Sequence, residues 1–250
     1  MLRVCFLLNL ILVGFPATGQ IVNIENARLH TDTTGWAGNT NASMAIIKSV
    51  QNVFSLDMNA HVQFKSRKDL YLLLGSYGIL NGGGAKLVDN SFLHFRYNRK
   101  LNDHLRWEAF TQIQKNVINN IEYRFLVGTG PRFKVVDRKK FKLFFAGLIM
   151  LEQEKEKVQP ANISLNWRNS NYVSFSIYPN SQLDLVSTTF YQPLISLFND
   201  FRILNQSRLR VKATKKLSLS INYNYLFDHF PPLGTPETNY TFSTGLDYDF

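Results

Sequence analysis

The five histidines, His30, His61, His94, His104 and His229, are the side chains best suited to proton transfer or metal ligation near neutral pH. None stands in an H-E-x-x-H or His-x-x-x-His spacing that would bring two imidazoles to one face of a helix. No metal or other cofactor is expected. Gly82-Gly83-Gly84 could cradle an anion with its amides, yet no Lys-Ser/Thr follows as a phosphate-binding loop requires, so it reads as a flexible connection. Glu152, Glu154 and Glu156 alternate with Gln153, Lys155 and Lys157 and read as a solvated shoulder rather than a cation site. Nucleophilic catalysis needs Ser and His within reach of each other, and no His-x-Ser pairing occurs. The chain is therefore read as non-enzymatic.

What the sequence has in quantity is charge, with 28 Lys and Arg against 18 Asp and Glu and a net charge of +10. That balance favours anionic partners. Nucleic acid is excluded as a partner, because no recognition helix is visible and the chain begins with an export-type segment. Arg3 precedes an apolar run from Val4 to Phe15 broken by Asn9, followed by small residues at Ala17 and Gly19. Residues 1–19 read as a secretory signal peptide, since the run is shorter than the ~20 residues of a spanning helix. The one cysteine, Cys5, lies inside it, leaving the exported part without disulfide or thiolate chemistry.

The elements that must position the charges are strands. From Phe54 to Lys65, Phe54, Leu56, Met58, Ala60, Val62 and Phe64 alternate with Ser55, Asp57, Asn59, His61, Gln63 and Lys65. A period of two over that length is a strand with one apolar and one polar face. Leu217 to Phe227 and Tyr240 to Phe250 repeat the pattern. The rule predicts twelve strands, near 36–48, 53–65, 70–80, 87–100, 104–115, 121–135, 141–153, 163–178, 182–192, 200–213, 217–228 and 239–250. Short connections alternate with longer ones, as in barrels with short periplasmic turns and longer external loops. The expected fold is an all-β antiparallel transmembrane barrel of about twelve strands occupying residues 20–250, its first and last strands paired. Ten strands are the alternative, because 49–52 is too short for an external loop and Pro131 belongs at an edge, bulge or strand end.

If the polar faces point inward, the lumen is lined by His61, Lys65, His94, Arg96, Arg106, Glu108, Arg124, Arg132, Arg202, Arg208, Arg210, Asp247 and Asp249. Lys134, Arg168, Asp57, Glu122, Glu152, Asp184 and Asp200 are expected beside them. A hairpin centred on Leu101-Asn-Asp103 would set Arg96 directly opposite Glu108. Such an interior is either a salt-bridged plug or a narrow channel favouring small anions. Basic turns at Arg67-Lys68, Arg99-Lys100, Arg138-Lys139-Lys140 and Lys215-Lys216 suit an anionic membrane surface.

Two resemblances follow. The ending Gly245-x-x-Tyr248-x-Phe250 resembles the C-terminal signal read by barrel-assembly machinery. Gly35-Trp-Ala-Gly-Asn-Thr-Asn-Ala-Ser43, Arg96-Tyr-Asn98, Arg124-Phe-Leu-Val-Gly-Thr-Gly130 and Asp200-Phe-Arg-Ile-Leu-Asn205 through Lys212 to Phe250 resemble domain-of-unknown-function family 481. Its members are described as salt-induced outer-membrane proteins. The resemblance implies an outer-membrane β-barrel and transfers no catalytic residues.

The expectation is a monomeric outer-membrane barrel of a Gram-negative envelope, structural or a narrow pore. Its expected partners are outer-membrane lipids, lipopolysaccharide and the assembly machinery. A lipid-modifying enzyme using His94 with a neighbouring Ser or Asp, and a soluble periplasmic β-sandwich that binds a ligand, are the competing readings.

Overall fold

The computed structural model describes residues 34–48, 52–157, 162–214 and 217–248. The twelve strands are β1 Gly35–Lys48, β2 Asn52–Lys65, β3 Asp69–Gly82, β4 Ala85–Lys100, β5 Leu105–Asn116 and β6 Ile121–Arg138, then β7 Phe141–Glu156, β8 Ile163–Asn180, β9 Leu183–Pro193, β10 Phe201–Lys212, β11 Leu217–Asp228 and β12 Thr238–Tyr248. Each pairs antiparallel with the next, in one sheet whose order is the chain order. Among the described residues β1 and β12 do not pair, so the expected closing ladder is not formed.

The alternation that defines the strands also curls the sheet. On β2 the polar Ser55, His61 and Gln63 are buried while Met58 and Val62 on the other face are exposed. The same inversion runs through β4 to β8, where His94, Arg96, Glu108, Gln112, Arg124, Arg132 and Arg168 are buried and Leu93, Trp107, Val127, Ile149 and Trp167 are not. A water-soluble sheet shows the opposite arrangement. The single sheet, with its aromatic face outward, does not fit the β-sandwich reading, which needs a second sheet to cover that face.

The even-to-odd connections lie at one end, the turn end: 66–68, 101–104, 139–140, 181–182 and 213–216. The others form the loop end, where 194–200 and 229–237 are the longest described. Gly83 and Gly84 form a two-residue turn with φ of 58° and 82°, a type I′-like geometry that glycine adopts without strain, rather than the flexible loop expected.

Three expectations need correction. Pro131 sits inside β6, still paired with Trp107 on β5; towards β7 the ladder passes from Thr129↔Ile149 to Arg132↔Ala146 without changing register, which accommodates the missing N–H. Arg96 faces Phe110 and Glu108 faces Asn98, a register two residues away from the one expected. The turn is 101–104, closed by Leu101 donating to the Leu105 carbonyl at 3.0 Å and by Asn102 Oδ1 accepting from the His104 and Leu105 amides at 2.9 and 2.8 Å. Glu122 lies at a β-bulge, is exposed, and pairs with Lys155 outside the interior network.

Candidate functional site

One sector of the inner face is filled. Phe110, Leu126, Met150, Tyr172, Phe190 and Leu204 pack from facing strands into one apolar cluster, and Leu72, Leu74 and Phe92 form a second. Room for Phe110 comes from Gly128 directly across the ladder, where an added Cβ would lie 2.5 Å from the Phe110 ring. On β3 neither face is polar, since Leu70, Leu72 and Leu74 point inward while Tyr71, Leu73 and Tyr77 point out.

Between this apolar layer and the turn end lies an ionic network around Glu108. Arg96 Nη1 lies 2.9 Å from Glu108 Oε2, Arg132 Nε 3.7 Å from Oε1, and the Tyr172 hydroxyl donates to Oε2 at 2.7 Å. The pair expected from a direct opposition is thus made diagonally, because a two-residue shift keeps both side chains on one face. Arg96 also covers the Phe110 ring, 5.1 Å from its centre, and Arg132 the Phe144 ring at 3.9 Å. His94 stacks between Phe92 and Phe110; its Nδ1 faces Gln112 Oε1 at 2.9 Å and its Nε2 accepts from Arg96 Nε at 3.3 Å.

A second network lies towards the loop end, around Glu152. Glu152 and Glu154 are buried and not part of the solvated shoulder expected, because both face inward on β7 against arginines. Arg202 Nη1 is 2.7 Å and Arg168 Nε 3.1 Å from the Glu152 carboxylate, with Arg124 at 3.8 Å. Arg124 also pairs with Glu154, Arg202 with Asp228 at 2.7 Å, and Arg168 with Asp200 at 2.9 Å. Five strands and one loop are tied by these contacts.

The remaining sector is built differently. Inward positions on β1 are Gly35, Ala37, Asn39, Asn41, Ser43, Ala45 and Ile47, set opposite the inward face of β2. Those on β11 are led by Ser218, Ser220, Asn222 and Asn224, which face Asp247, Gly245, Ser243 and Thr241 of β12. Small uncharged side chains dominate here and cannot fill the space that Phe110, Tyr172 and the arginines fill opposite. At the turn end this sector is flanked by Lys65 on β2 and by Arg208, Arg210 and Lys212 on β10, all half-buried. Arg210 donates to the Ser218 hydroxyl at 2.9 Å.

His61 is buried on the inward face of β2, and Arg106 is half-buried on that of β5. The Asp247 and Tyr248 backbones pair with Ser218 and Leu217, but their side chains, together with Asp249, Phe250 and the segment 1–19, lie outside the described residues. In the turn, Lys100 Nζ lies 2.6 Å from Asp103 Oδ1 and holds that carboxyl below its ordinary range. Reasoning from polar faces alone missed Phe110 and Tyr172; Gly128 and Gly130 on the same face were the available signal that large neighbours needed room.

Outward-facing aromatics form two belts. Near the turn end Trp36, Phe64, Tyr71 and Tyr97 run across four strands with ring centres 5.0, 6.3 and 5.0 Å apart. Near the loop end Tyr191, Phe201 and Phe227 run across three strands at 5.6 and 5.7 Å.

Residues 30–250 match the family described as "Protein of unknown function, DUF481". No curated protein sequence matches the chain. Among solved structures, the NanC porin is 11% identical with a TM-score of 0.48, covering 83% of this chain and 100% of its own. The translocator domain of autotransporter NalP from Neisseria meningitidis is 11% identical with a TM-score of 0.49, covering 91% of this chain and 92% of its own. A bacterial polysaccharide outer membrane secretin is 9% identical with a TM-score of 0.47, covering 84% and 90%.

Proposed function

The chain belongs to the DUF481 family, and from that premise and the make-up of its interior we propose a narrow outer-membrane pore that favours small anions, running beside a salt-bridged plug. The single observation that carries this reading is the asymmetry of the inner face. Strands β4 to β10 fill their sector with paired charges and aromatic rings, whereas β1, β11 and β12, apart from Ile47, Leu226 and Asp228 towards the loop end, present mainly Gly, Ala, Ser, Thr and Asn. Small polar side chains leave space that water occupies, and at its turn end Lys65, Arg208, Arg210 and Lys212 outnumber Asp184, which stands opposite Arg210, and give that space a positive potential.

The membrane setting is supported by the exposed apolar face and its two aromatic belts, the pattern of strands that meet lipid between two interfaces. In this reading residues 1–19 direct export, Gly245, Tyr248 and Phe250 guide insertion by the assembly machinery, and the barrel works as a monomer. The basic turns contact phosphates of lipid or lipopolysaccharide, each gaining on the order of 1 kcal/mol at an anionic surface. No catalysis is assigned: both ring nitrogens of His94 are engaged and the ring is fully buried, which speaks against His94 as the base of the lipid-modifying alternative.

Conductance in planar bilayers tests the proposal. Small channel events whose reversal potential shows anion preference are expected, with the preference lost in the triple variant Arg208→Gln, Arg210→Gln, Lys212→Gln. Silence of the folded protein, or cation preference, would defeat it.

A further inference from the structure

Across three adjacent strands at the turn end, Lys100, Arg106 and Arg132 stand directly opposite one another on the inward face. Like charges at directly opposed positions repel. The acids around them are Asp103 beside Lys100, Glu108 shared by Arg96 and Arg132, and Asp137 on Lys134, which Arg106 also reaches electrostatically. Each is thus already paired, and the row keeps an excess of positive charge.

Immediately inside this row lies Asn98. It is 1% exposed, pairs across the ladders with Leu70 and Glu108, and neither its side-chain oxygen nor its nitrogen has a hydrogen-bond partner. A buried amide with both groups unmet costs stability unless something fills the position. Along β4 it stands between Arg96 and Lys100, and Arg106 is its diagonal neighbour on β5.

We propose that Asn98, Lys100, Arg106 and Arg132 form a lumenal site for inorganic phosphate bound as hydrogen phosphate, an oxyanion that retains a hydroxyl at neutral pH. Two demands select this chemistry. The cations call for an oxyanion, and Asn98 calls for a ligand that both accepts from its Nδ2 and donates to its Oδ1. Hydrogen phosphate does both; sulfate carries no proton at neutral pH and meets only the first. The site is a fixed one, in the filled sector, and stands independently of the pore.

The test is titration of the refolded, full mature chain in detergent with inorganic phosphate and, separately, with sulfate, followed by calorimetry. Phosphate is expected to bind at least about tenfold more tightly than sulfate, one unmet hydrogen bond being worth about that factor. Asn98→Leu should erase the difference, and Arg106→Gln should weaken both anions. Heat-modifiable gel migration establishes that each variant is folded. Equal affinity for the two anions, or phosphate binding unchanged in folded Asn98→Leu, overturns the proposal and leaves Asn98 to water. Phosphatidate in the micelle is expected to be inert, because the cluster faces the lumen. Displacement of phosphate by phosphatidate overturns that placement.

Discussion

Tyr172 on β8 reaches the carboxylate of Glu108 on β5, donating its hydroxyl at 2.7 Å across 64 residues of sequence. Two strands, β6 and β7, separate the two in the sheet, so the bond spans the interior and fixes the curl of the wall. Tyr172→Phe keeps the ring in the apolar cluster and removes only this donor, leaving Glu108 to Arg96 and Arg132. A loss of about 2 kcal/mol is expected for one buried bond to a charged acceptor. Urea-unfolding midpoints of protein refolded into lipid vesicles measure it, and an unchanged midpoint would show that the cross-wall bond contributes nothing.

Glu152 carries a heavier share. Its carboxylate answers Arg168 and Arg202 with Arg124 near by, and all four side chains are buried. Glu152→Gln removes the shared charge while keeping shape, and leaves guanidinium groups buried with too few acceptors. Breaking such a network costs about 3–5 kcal/mol. The temperature at which the compact gel form converts to the unfolded form should drop clearly below that of Tyr172→Phe; an equal or smaller drop would mean that Glu154, Asp200 and Asp228 suffice.

The alternation at Phe54–Lys65 and Leu217–Phe227 made the strands and their facing legible, because burial on one side forces a period of two. Its reach ended where the physics is not local. Both candidate registers for the hairpin after β4 put Arg96 and Glu108 on one face, and only the Asn102 side chain capping two amides of the turn decides between them. The β3 strand is predicted near 70–80, but alternation gives no facing there, with Leu on one face and Leu and Tyr on the other. Tyr172 sits among Ser170, Ser174 and Ser176 on a polar face; that it completes the Glu108 network depends on how far the sheet curls, which no stretch of strand records.

Gly130 tests how tightly the filled sector is built. A Cβ there would lie 2.2 Å from the Gly147 carbonyl oxygen and 2.7 Å from Leu148 Cα, backbone atoms that cannot rotate away. Gly130→Ala must separate β6 from β7 beside Pro131, where the ladder is already interrupted, and a fall in folding yield is expected. Gly245→Ala meets only the Ser220 hydroxyl at 3.3 Å and should fold normally. Yields of heat-modifiable protein refolded in parallel compare the two. Equal yields would show that the β6–β7 contact yields easily.

The two faces of β12 permit a direct test of where solute passes. Ser243 is opposite Asn222 on the inward face, whereas Leu246 is outward and strongly exposed. The chain's one cysteine, Cys5, lies in the predicted signal segment, so a single introduced thiol is the only target for a thiol reagent in the exported form. With Ser243→Cys, a charged, water-soluble methanethiosulfonate reagent should add bulk and charge to the small-residue sector and reduce single-channel current. A cationic reagent should also repel cations and push selectivity further towards anions. With Leu246→Cys the thiol meets lipid, where a charged reagent does not enter, and the current should stay unchanged. Position 112 supplies the third arm: Gln112 is inward but sealed among Leu126, His94 and Gln114, so Gln112→Cys should resist modification if β4 to β10 hold the plug. Block at 112 with no effect at 243 would reverse the assignment, moving the pathway into the charged sector and making the small-residue face structural.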